Sequence, residues 1–126
     1  HITGILYGLQ LPFMLGSAVV LQDVWQPGAA LSLIEQHRCG FMLAATPFLH
    51  GLVYHEDLTQ TDVSSLRVFG CGGADVPTEL IRQAEKALDC MATRIYGSSE
   101  LTALSAGNGK DSLESRAVTD GRQPNG

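Results

Sequence analysis

Residues 66–97 read LRVFGCGGADVPTELIRQAEKALDCMATRIYG, and they contain two apolar runs separated by an amphipathic segment. The first run ends in glycines at 70, 72 and 73, and the second ends in Tyr96 and Gly97. Between the runs, apolar residues recur at the spacing of one helical face, at Leu80, Ile81, Ala84 and Leu88. A strand, a helix and a strand in this order predict two parallel strands joined by a right-handed crossover.

The same alternation extends towards the start of the chain. Residues 1–16 are apolar on nearly all sides, which predicts a helix that is buried over most of its surface. Gly16 and Ser17 end this helix, and the β-branched run at residues 18–23 predicts a buried parallel strand.

Three more elements are predicted between residue 26 and the stretch quoted above. Pro27 suits the first turn of a helix for which Gly40 is the expected C-terminal cap. Residues 41–46 predict a strand, and Thr46 and Pro47 predict the N-cap and the first turn of a short helix.

These elements predict an α/β fold, a parallel sheet of about four strands with helices on both faces, in one domain. The small polar sequence after Glu100 predicts loop with at most one short strand. In parallel sheets, ligands bind beyond the carboxyl ends of the strands. The turns GCGGAD (70–75) and YGSSE (96–100) each follow a strand, so we expect both at the same edge of the sheet.

Composition excludes several classes of function. The net charge of −5 over 126 residues argues against a nucleic-acid partner. Three widely spaced cysteines, without a C-x-x-C pair, predict neither a disulfide framework nor a zinc site, and a reducing, cytoplasmic setting is the simplest interpretation. The apolar stretch at residues 5–21 is too short and too interrupted by glycine, proline and glutamine to predict a membrane span.

The glycine turn at 70–75 has two interpretations. Its glycines permit positive φ and close approach of the backbone to a ligand, but they also suit a tight connection between strand and helix. Neither established phosphate motif fits. Asp75 occupies the position of the third glycine of G-x-G-x-x-G, and no lysine follows as a P-loop requires.

The YGSSE turn compresses several binding groups into five residues. Tyr96 offers a ring face to a base, Gly97 brings the backbone close, and Ser98 or Ser99 offers a hydroxyl to a phosphate oxygen. Glu100 is a hard oxygen ligand of the kind that Mg²⁺ takes together with substrate phosphates. Each residue alone is also common in an ordinary polar turn.

Four motifs in order resemble the adenylate-forming superfamily of acyl-CoA synthetases, amino-acid adenylation domains and luciferases. They are HITG at 1–4, GGADVP at 72–77, YGSSE at 96–100 and DGRQPNG at 120–126. The resemblance extends over essentially the whole chain, and the Y-G-x-[ST]-E element is the most specific part. It implies that residues 1–126 are part of a larger AMP-binding domain. A phosphate loop is then expected upstream, with a small C-terminal domain and its catalytic lysine downstream.

The resemblance implies a role for each matching residue. His1 would line the acyl pocket, Tyr96 would stack on adenine, and Gly97 would lie beside the reacting carboxylate. Ser99 would hydrogen-bond the AMP phosphate, and Glu100 would bind Mg²⁺. The glycine turn would flank adenine and the acyl group with Gly72, Gly73 and Ala74, and the last turn would be structural through Gly121, Arg122, Pro124 and Gly126.

The implied reaction joins a carboxylic acid to ATP as an acyl-adenylate and then transfers the acyl group to coenzyme A. Its partners are thus a small carboxylic acid, ATP, Mg²⁺ and coenzyme A, and a homo-oligomer is left open. The isolated 126-residue chain is expected to be inactive. An amino-acid adenylation domain and a non-catalytic nucleotide-binding module of the same fold are the alternatives.

Overall fold

The computed structural model describes residues 2–102 and 104–123. Its α-helices are α1 (Ile2–Ile5), α2 (Leu11–Leu15), α3 (Pro27–His37), α4 (Thr46–Val53), α5 (Thr78–Leu88) and α6 (Leu113–Val118). Its strands are β1 (Phe41–Ala44), β2 (Val68–Gly72), β3 (Met91–Tyr96) and β4 (Ser105–Ala106). A π-helical segment, Leu6–Gln10, joins α1 to α2, and a 3₁₀ helix spans Glu56–Gln60.

The strands form one four-stranded sheet in the order β1-β2-β3-β4. The first three are parallel, with Gly70 between Leu43 and Thr93, and β4 pairs with β3 in the antiparallel sense. The predicted α/β class is confirmed. The strand predicted at residues 18–23 is wrong, because those residues contain no strand, and the fourth strand is Ser105–Ala106, in the region after Glu100 where one short strand was allowed.

The core lies on one face of the sheet. Met42, Phe69 and Ala92 lie side by side there, and the last two are fully buried. Helices α3, α4, α5 and α6 form a continuous layer in which each contacts the next, while α4 contacts β2 and α5 contacts β3. The predicted apolar face of α5 is confirmed, since all four of its residues are buried, namely Leu80, Ile81, Ala84 and Leu88.

The N-terminal helical segment approaches the opposite face of the sheet. The ring centroid of Tyr7 lies 6.3 Å from that of Phe41, whose side chain alternates away from the core face. Helices therefore flank both faces. The segment is not buried as predicted, because its side chains meet little of the described chain, and Phe13 and Met14 are 87% and 79% exposed.

Proline explains why this segment is not a regular helix. Pro12 has no backbone N–H and its ring would crowd the carbonyl of Gly8 in an α-helix. The chain widens into the π-helical segment one turn earlier, where the N–H of Leu11 donates to the carbonyl oxygen of Leu6. Gly16 ends the segment in the left-handed conformation, with φ +62°, as expected. Within residues 2–102 and 104–123, we find no helix long and apolar enough to cross a membrane.

Two predicted caps are wrong. Helix α3 begins at Pro27 as expected, but its C-cap is Arg38 in the left-handed conformation (φ 51°) and not Gly40. A non-glycine residue can adopt this conformation, although it is uncommon. Thr46 is the first residue of α4 and not its N-cap, a position held by Ala45. The Thr46 hydroxyl instead donates to the carbonyl oxygen of Asp75, at 2.8 Å.

Helix α6 is the element that the sequence analysis missed. It is six residues long, and Ser112 caps it by accepting a hydrogen bond from the N–H of Ser115. Its Arg116 is buried and donates to the Glu85 carboxylate at 3.0 Å and to the carbonyl oxygen of Ala92 at 2.9 Å. Arg116 thus joins α6 to α5 through Glu85 and to β3 through Ala92.

We expect Arg116→Ala to destabilise the full-length protein by about 3 kcal/mol, because it removes one partner of a largely buried ion pair. The matched control is Arg82→Ala, which removes the more exposed pair with Glu114 and should cost much less stability. Denaturant unfolding of both variants measures the difference. Equal losses would contradict a structural role for the buried pair.

Candidate functional site

The register of the sheet brings the two conspicuous turns together. Gly72, at the end of β2, pairs with Ile95, which is one residue before the end of β3. Because the two strands are parallel, the chain leaves both of them at the same edge. The sequence-based expectation of a shared edge is confirmed.

A cleft of about 540 Å³ opens at this edge. Five residues of the two turns line it, namely Gly72, Gly73, Gly97, Ser98 and Ser99. The other lining residues come from the N-terminal helices, from β1 and α4, and from β3 and its loop, namely Ile2, Thr3, Tyr7, Leu43, Ala44, Ala45, Phe48, Ile95 and Thr102. The volume lies within the range of ~300–1,000 Å³ that is usual for small-molecule sites.

The glycine turn is required by the backbone around it. A Cβ atom at Gly72 would collide with the carbonyl oxygen of Ile95 on the neighbouring strand. Gly73 has open space around it, but its φ of +82° is one that other residues rarely adopt. The turn therefore lacks side chains for a structural reason. The bare backbone also leaves room for a flat ligand to lie against it.

Gly97 is required by its own loop. A Cβ atom there would lie 2.5 Å from the carbonyl oxygen of Thr102. The loop folds back because the N–H of Ser98 donates to the carbonyl oxygen of Leu101 and the N–H of Leu104 donates to that of Tyr96, both at 3.0 Å. The turn is thus compact and fixed at its base on β3.

Ser98 stabilises this turn through its hydroxyl, whereas Ser99 lines the cleft. The Ser98 hydroxyl accepts a hydrogen bond from the N–H of Leu101, at 3.3 Å. A hydrogen bond from Ser98, together with one from the backbone, lowers the pKa of the exposed Glu100 carboxyl. Glu100 is therefore an anion at neutral pH at the mouth of the turn.

The donor set suits a cation that brings most of its own ligands. Among the described residues, no group of three or more His, Cys, Asp or Glu side chains could enclose a metal ion. Glu100 is a single, exposed and ionised carboxylate. Mg²⁺ commonly takes one or two protein carboxylates and completes its shell with phosphate oxygens and water, so Glu100 fits that pattern.

Three predicted site residues adjoin the cleft without lining it. Ala74 and Glu100 are exposed, and the Tyr96 ring, 53% exposed, points to the face opposite that of Ile95. His1 lies outside the described residues, as do Pro124 and Gly126 of the last turn. Gly121 is in contact with the backbone of Ala106, consistent with a structural role.

The sequence analysis missed the third wall of the cleft. The chain after β1 contributes Ala45 and, from the first turn of α4, Phe48, because β1 is parallel to β2 and ends at the same edge. The rule that predicted the other two turns applies equally to this one. No sequence pattern predicts that Tyr7 and Thr102 line the cleft. Their positions depend on how the N-terminal segment and the loop after β3 fold back onto the sheet.

A second cleft of about 510 Å³, lined mainly by apolar side chains, adjoins the first. The two share a wall made by Thr3, Tyr7, Leu43, Ala44 and Phe48. Beyond that wall the second cleft is lined mainly by apolar side chains of residues 19–25 and α3, among them Val19, Leu21, Trp25, Leu33 and Ile34. The first cleft thus carries the hydroxyl groups of Ser98, Ser99 and Thr102, and a second cleft with an apolar lining lies beside it.

The family model described as "AMP-binding enzyme" matches residues 1–123. The chain belongs to this family. The match covers nearly the whole chain, and the resemblance on which the sequence analysis relied is confirmed.

Two curated relatives are similar over most of this chain. The medium-chain fatty-acid–CoA ligase of Escherichia coli is 38% identical over 121 residues, which are 96% of this chain and 21% of the ligase. The vibriobactin-specific 2,3-dihydroxybenzoate-AMP ligase of Vibrio cholerae is 32% identical over 114 residues, which are 87% of this chain and 20% of that enzyme. The chain therefore spans about a fifth of the length of these AMP-binding relatives.

A solved structure supports the same assignment. A mutant of the amide bond synthetase McbA from Marinactinospora thermotolerans has a TM-score of 0.76 and 29% identity, and the match covers 85% of this chain and 22% of that chain. The amide bond synthetase thus contains a segment with the fold of this chain and with 29% of its residues identical.

We expect Gly97→Ala in the full-length protein to weaken AMP binding by about tenfold, because the new methyl group must displace the loop that lines the cleft. Gly109→Ala is the control, since a Cβ atom there meets only the Met91 Sδ, at 3.7 Å, which is an ordinary van der Waals contact. Titration calorimetry with AMP compares the two variants. An unchanged affinity of Gly97→Ala would show that AMP does not use this loop.

Proposed function

We propose that the full-length protein is an AMP-forming acyl-CoA synthetase, which activates a carboxylic acid as an acyl-adenylate and transfers the acyl group to coenzyme A. Membership of the AMP-binding family supports the adenylation step. The observation that carries the proposal is the cleft in which a wall without side chains, Gly72–Gly73, faces the hydroxyl-bearing turn Gly97–Ser99.

In the first step, a carboxylate oxygen attacks the α-phosphorus of ATP, and pyrophosphate leaves. The bare backbone at Gly72 and Gly73 admits the nucleotide close to the sheet, and Tyr96 offers its half-exposed ring to the adenine. The Ser99 hydroxyl donates to an α-phosphate oxygen, where negative charge accumulates in the transition state. The contribution of these residues is positioning and charge stabilisation.

Mg²⁺ is the metal that we propose for this site, with Glu100 as its protein ligand. When bound, it offsets the phosphate charge so that an anionic carboxylate can approach. The lowered pKa of Glu100 keeps this ligand ionised throughout the neutral range. For His1, the proposal is that its side chain lines the acyl pocket.

The second step of the proposed reaction transfers the acyl group to the thiol of coenzyme A. The names of the relatives indicate different acceptors for this step, since one is a CoA ligase, one an AMP ligase and one an amide bond synthetase. The medium-chain fatty-acid–CoA ligase has the higher identity of the two curated relatives reported above, which favours coenzyme A. The three free thiols of the chain suit a reducing compartment, and we propose the cytoplasm.

The apolar cleft beside the nucleotide site favours an acid with an apolar acyl group. Its wall is continuous with the nucleotide cleft through Tyr7 and Phe48, so an acyl group attached to the α-phosphate can extend into it. An amino-acid substrate is less suited, because residues 2–16 contain no carboxylate to meet an α-amine. A non-catalytic nucleotide-binding module is the remaining alternative.

Two assays on the full-length protein separate these functions. Acid-dependent exchange of labelled pyrophosphate into ATP reports adenylation, and release of AMP that requires coenzyme A reports the transfer. A synthetase gives both, with medium-chain or aromatic acids preferred over amino acids. Pyrophosphate exchange without CoA-dependent release of AMP would show that the protein catalyses adenylation but not transfer to coenzyme A. Nucleotide binding without pyrophosphate exchange would favour the non-catalytic module.

We expect Ser99→Ala to slow pyrophosphate exchange by roughly 10- to 100-fold, because a hydroxyl bond to a charged phosphate contributes about 1.5–3 kcal/mol. Ser32→Ala is the control, since that hydroxyl bonds within its own helix to the carbonyl oxygen of Gly28. Ser98 occupies the variable position x of the Y-G-x-[ST]-E motif, but Ser98→Ala is a poor control. The Ser98 hydroxyl accepts a hydrogen bond that stabilises the turn, so its loss would disturb Ser99 as well. Equal rates for Ser99→Ala and Ser32→Ala would overturn the role of Ser99.

For Glu100→Gln, we expect a loss of exchange activity that shrinks as the Mg²⁺ concentration is raised. The amide keeps the shape of the side chain but removes the anion that faces the metal. A Mg²⁺ titration of the exchange rate measures this. A loss that is the same at all Mg²⁺ concentrations would contradict metal binding by Glu100.

A further inference from the structure

Thr46 connects two walls of the nucleotide cleft. It is the first residue of α4, between Ala45 and Phe48, which both line the cleft. Its hydroxyl donates to the carbonyl oxygen of Asp75, at 2.8 Å and 29 positions along the chain. Asp75 directly follows the turn Gly72–Ala74, so this one bond spans from the β1–α4 wall to the glycine wall.

The glycine wall has few other restraints. Residues 73–75 are exposed and carry no regular secondary structure, and Gly73 has a φ of +82°. Within the described part of the chain, the bond from Thr46 is the one side-chain hydrogen bond to residues 73–76. The turn is anchored by β2 at one end and by Val76, which is buried in the core, at the other. Backbone between these anchors loses much conformational freedom when it is fixed, so the bond from Thr46 contributes to the order of the turn.

The same hydroxyl also contacts the strand that leads into the turn. The Sγ atom of Cys71, which is fully buried, lies 3.9 Å from the Thr46 Oγ1. Thr46 is itself half-buried. Its position is therefore fixed from both sides, by the end of β2 and by the turn after it.

We propose that Thr46 is a positioning residue for the nucleotide, which orders the glycine turn in the conformation that receives AMP. It does not line the cleft, so it acts through the backbone of residues 72–75. The inference rests on the proposed function only in that the cleft binds the nucleotide. The ordering of the turn by Thr46 is independent of any activity.

The decisive variants are Thr46→Val, which keeps the shape and removes the hydroxyl, and Thr46→Ser, which keeps the hydroxyl. Thr61→Val is the matched control, because Thr61 is also half-buried and its hydroxyl donates to a carbonyl oxygen, that of Asp57, at 2.8 Å. Each is made in the full-length protein. Amide hydrogen exchange measures the order of residues 72–76, and calorimetry with AMP measures affinity.

We expect Thr46→Val to speed exchange in residues 72–76 and to weaken AMP binding by roughly two- to tenfold, the effect of one neutral hydrogen bond. Thr46→Ser should restore both, and Thr61→Val should change neither. Unchanged exchange in Thr46→Val, or a Thr46→Ser variant that fails as Thr46→Val does, would overturn the inference. Faster exchange with unchanged AMP affinity would overturn the nucleotide part, and a wild-type protein that binds no AMP would refute the proposed function instead.

Discussion

The parallel pairing of β2 with β3 is the constraint on which the rest of the structure depends. With Gly72 beside Ile95, the two turns that follow these strands leave the sheet at one edge, and β1 adds a third. The crossover helix α5 makes this pairing possible, because it connects the two strands and its buried face packs against β3. A slip of one residue would reverse the faces of every side chain on the strand.

The motif glycines are required for two reasons at once, one structural and one functional. At Gly72 and Gly97 a side chain would collide with neighbouring backbone, so the glycines are needed before any ligand binds. The same lack of side chains leaves an open wall on which a nucleotide can lie. Structural and functional requirements therefore select the same residue, and the motif alone could not separate them.

Local patterns predicted the centre of the fold, and long-range contacts decided the rest. The helical periodicity of α5 and the apolar runs of β2 and β3 were read correctly because each is encoded in neighbouring residues. The burial of residues 1–16 and the strand at 18–23 were predicted wrongly because both require partners elsewhere in space. In the site, the shared edge was predictable from strand order. The ring direction of Tyr96 and the bond from Thr46 to Asp75 were not, since they depend on alternation at a strand end and on a residue 29 positions away.

The central claim is that the glycine turn and the YGSSE turn hold one nucleotide between them. A crystal structure of the full-length protein with AMP tests this most directly. The account predicts the adenine against Tyr96 and the backbone of Gly72–Gly73, with a phosphate oxygen within about 3 Å of the Ser99 Oγ. AMP bound away from this edge of the sheet, or in contact with only one of the two turns, would contradict it.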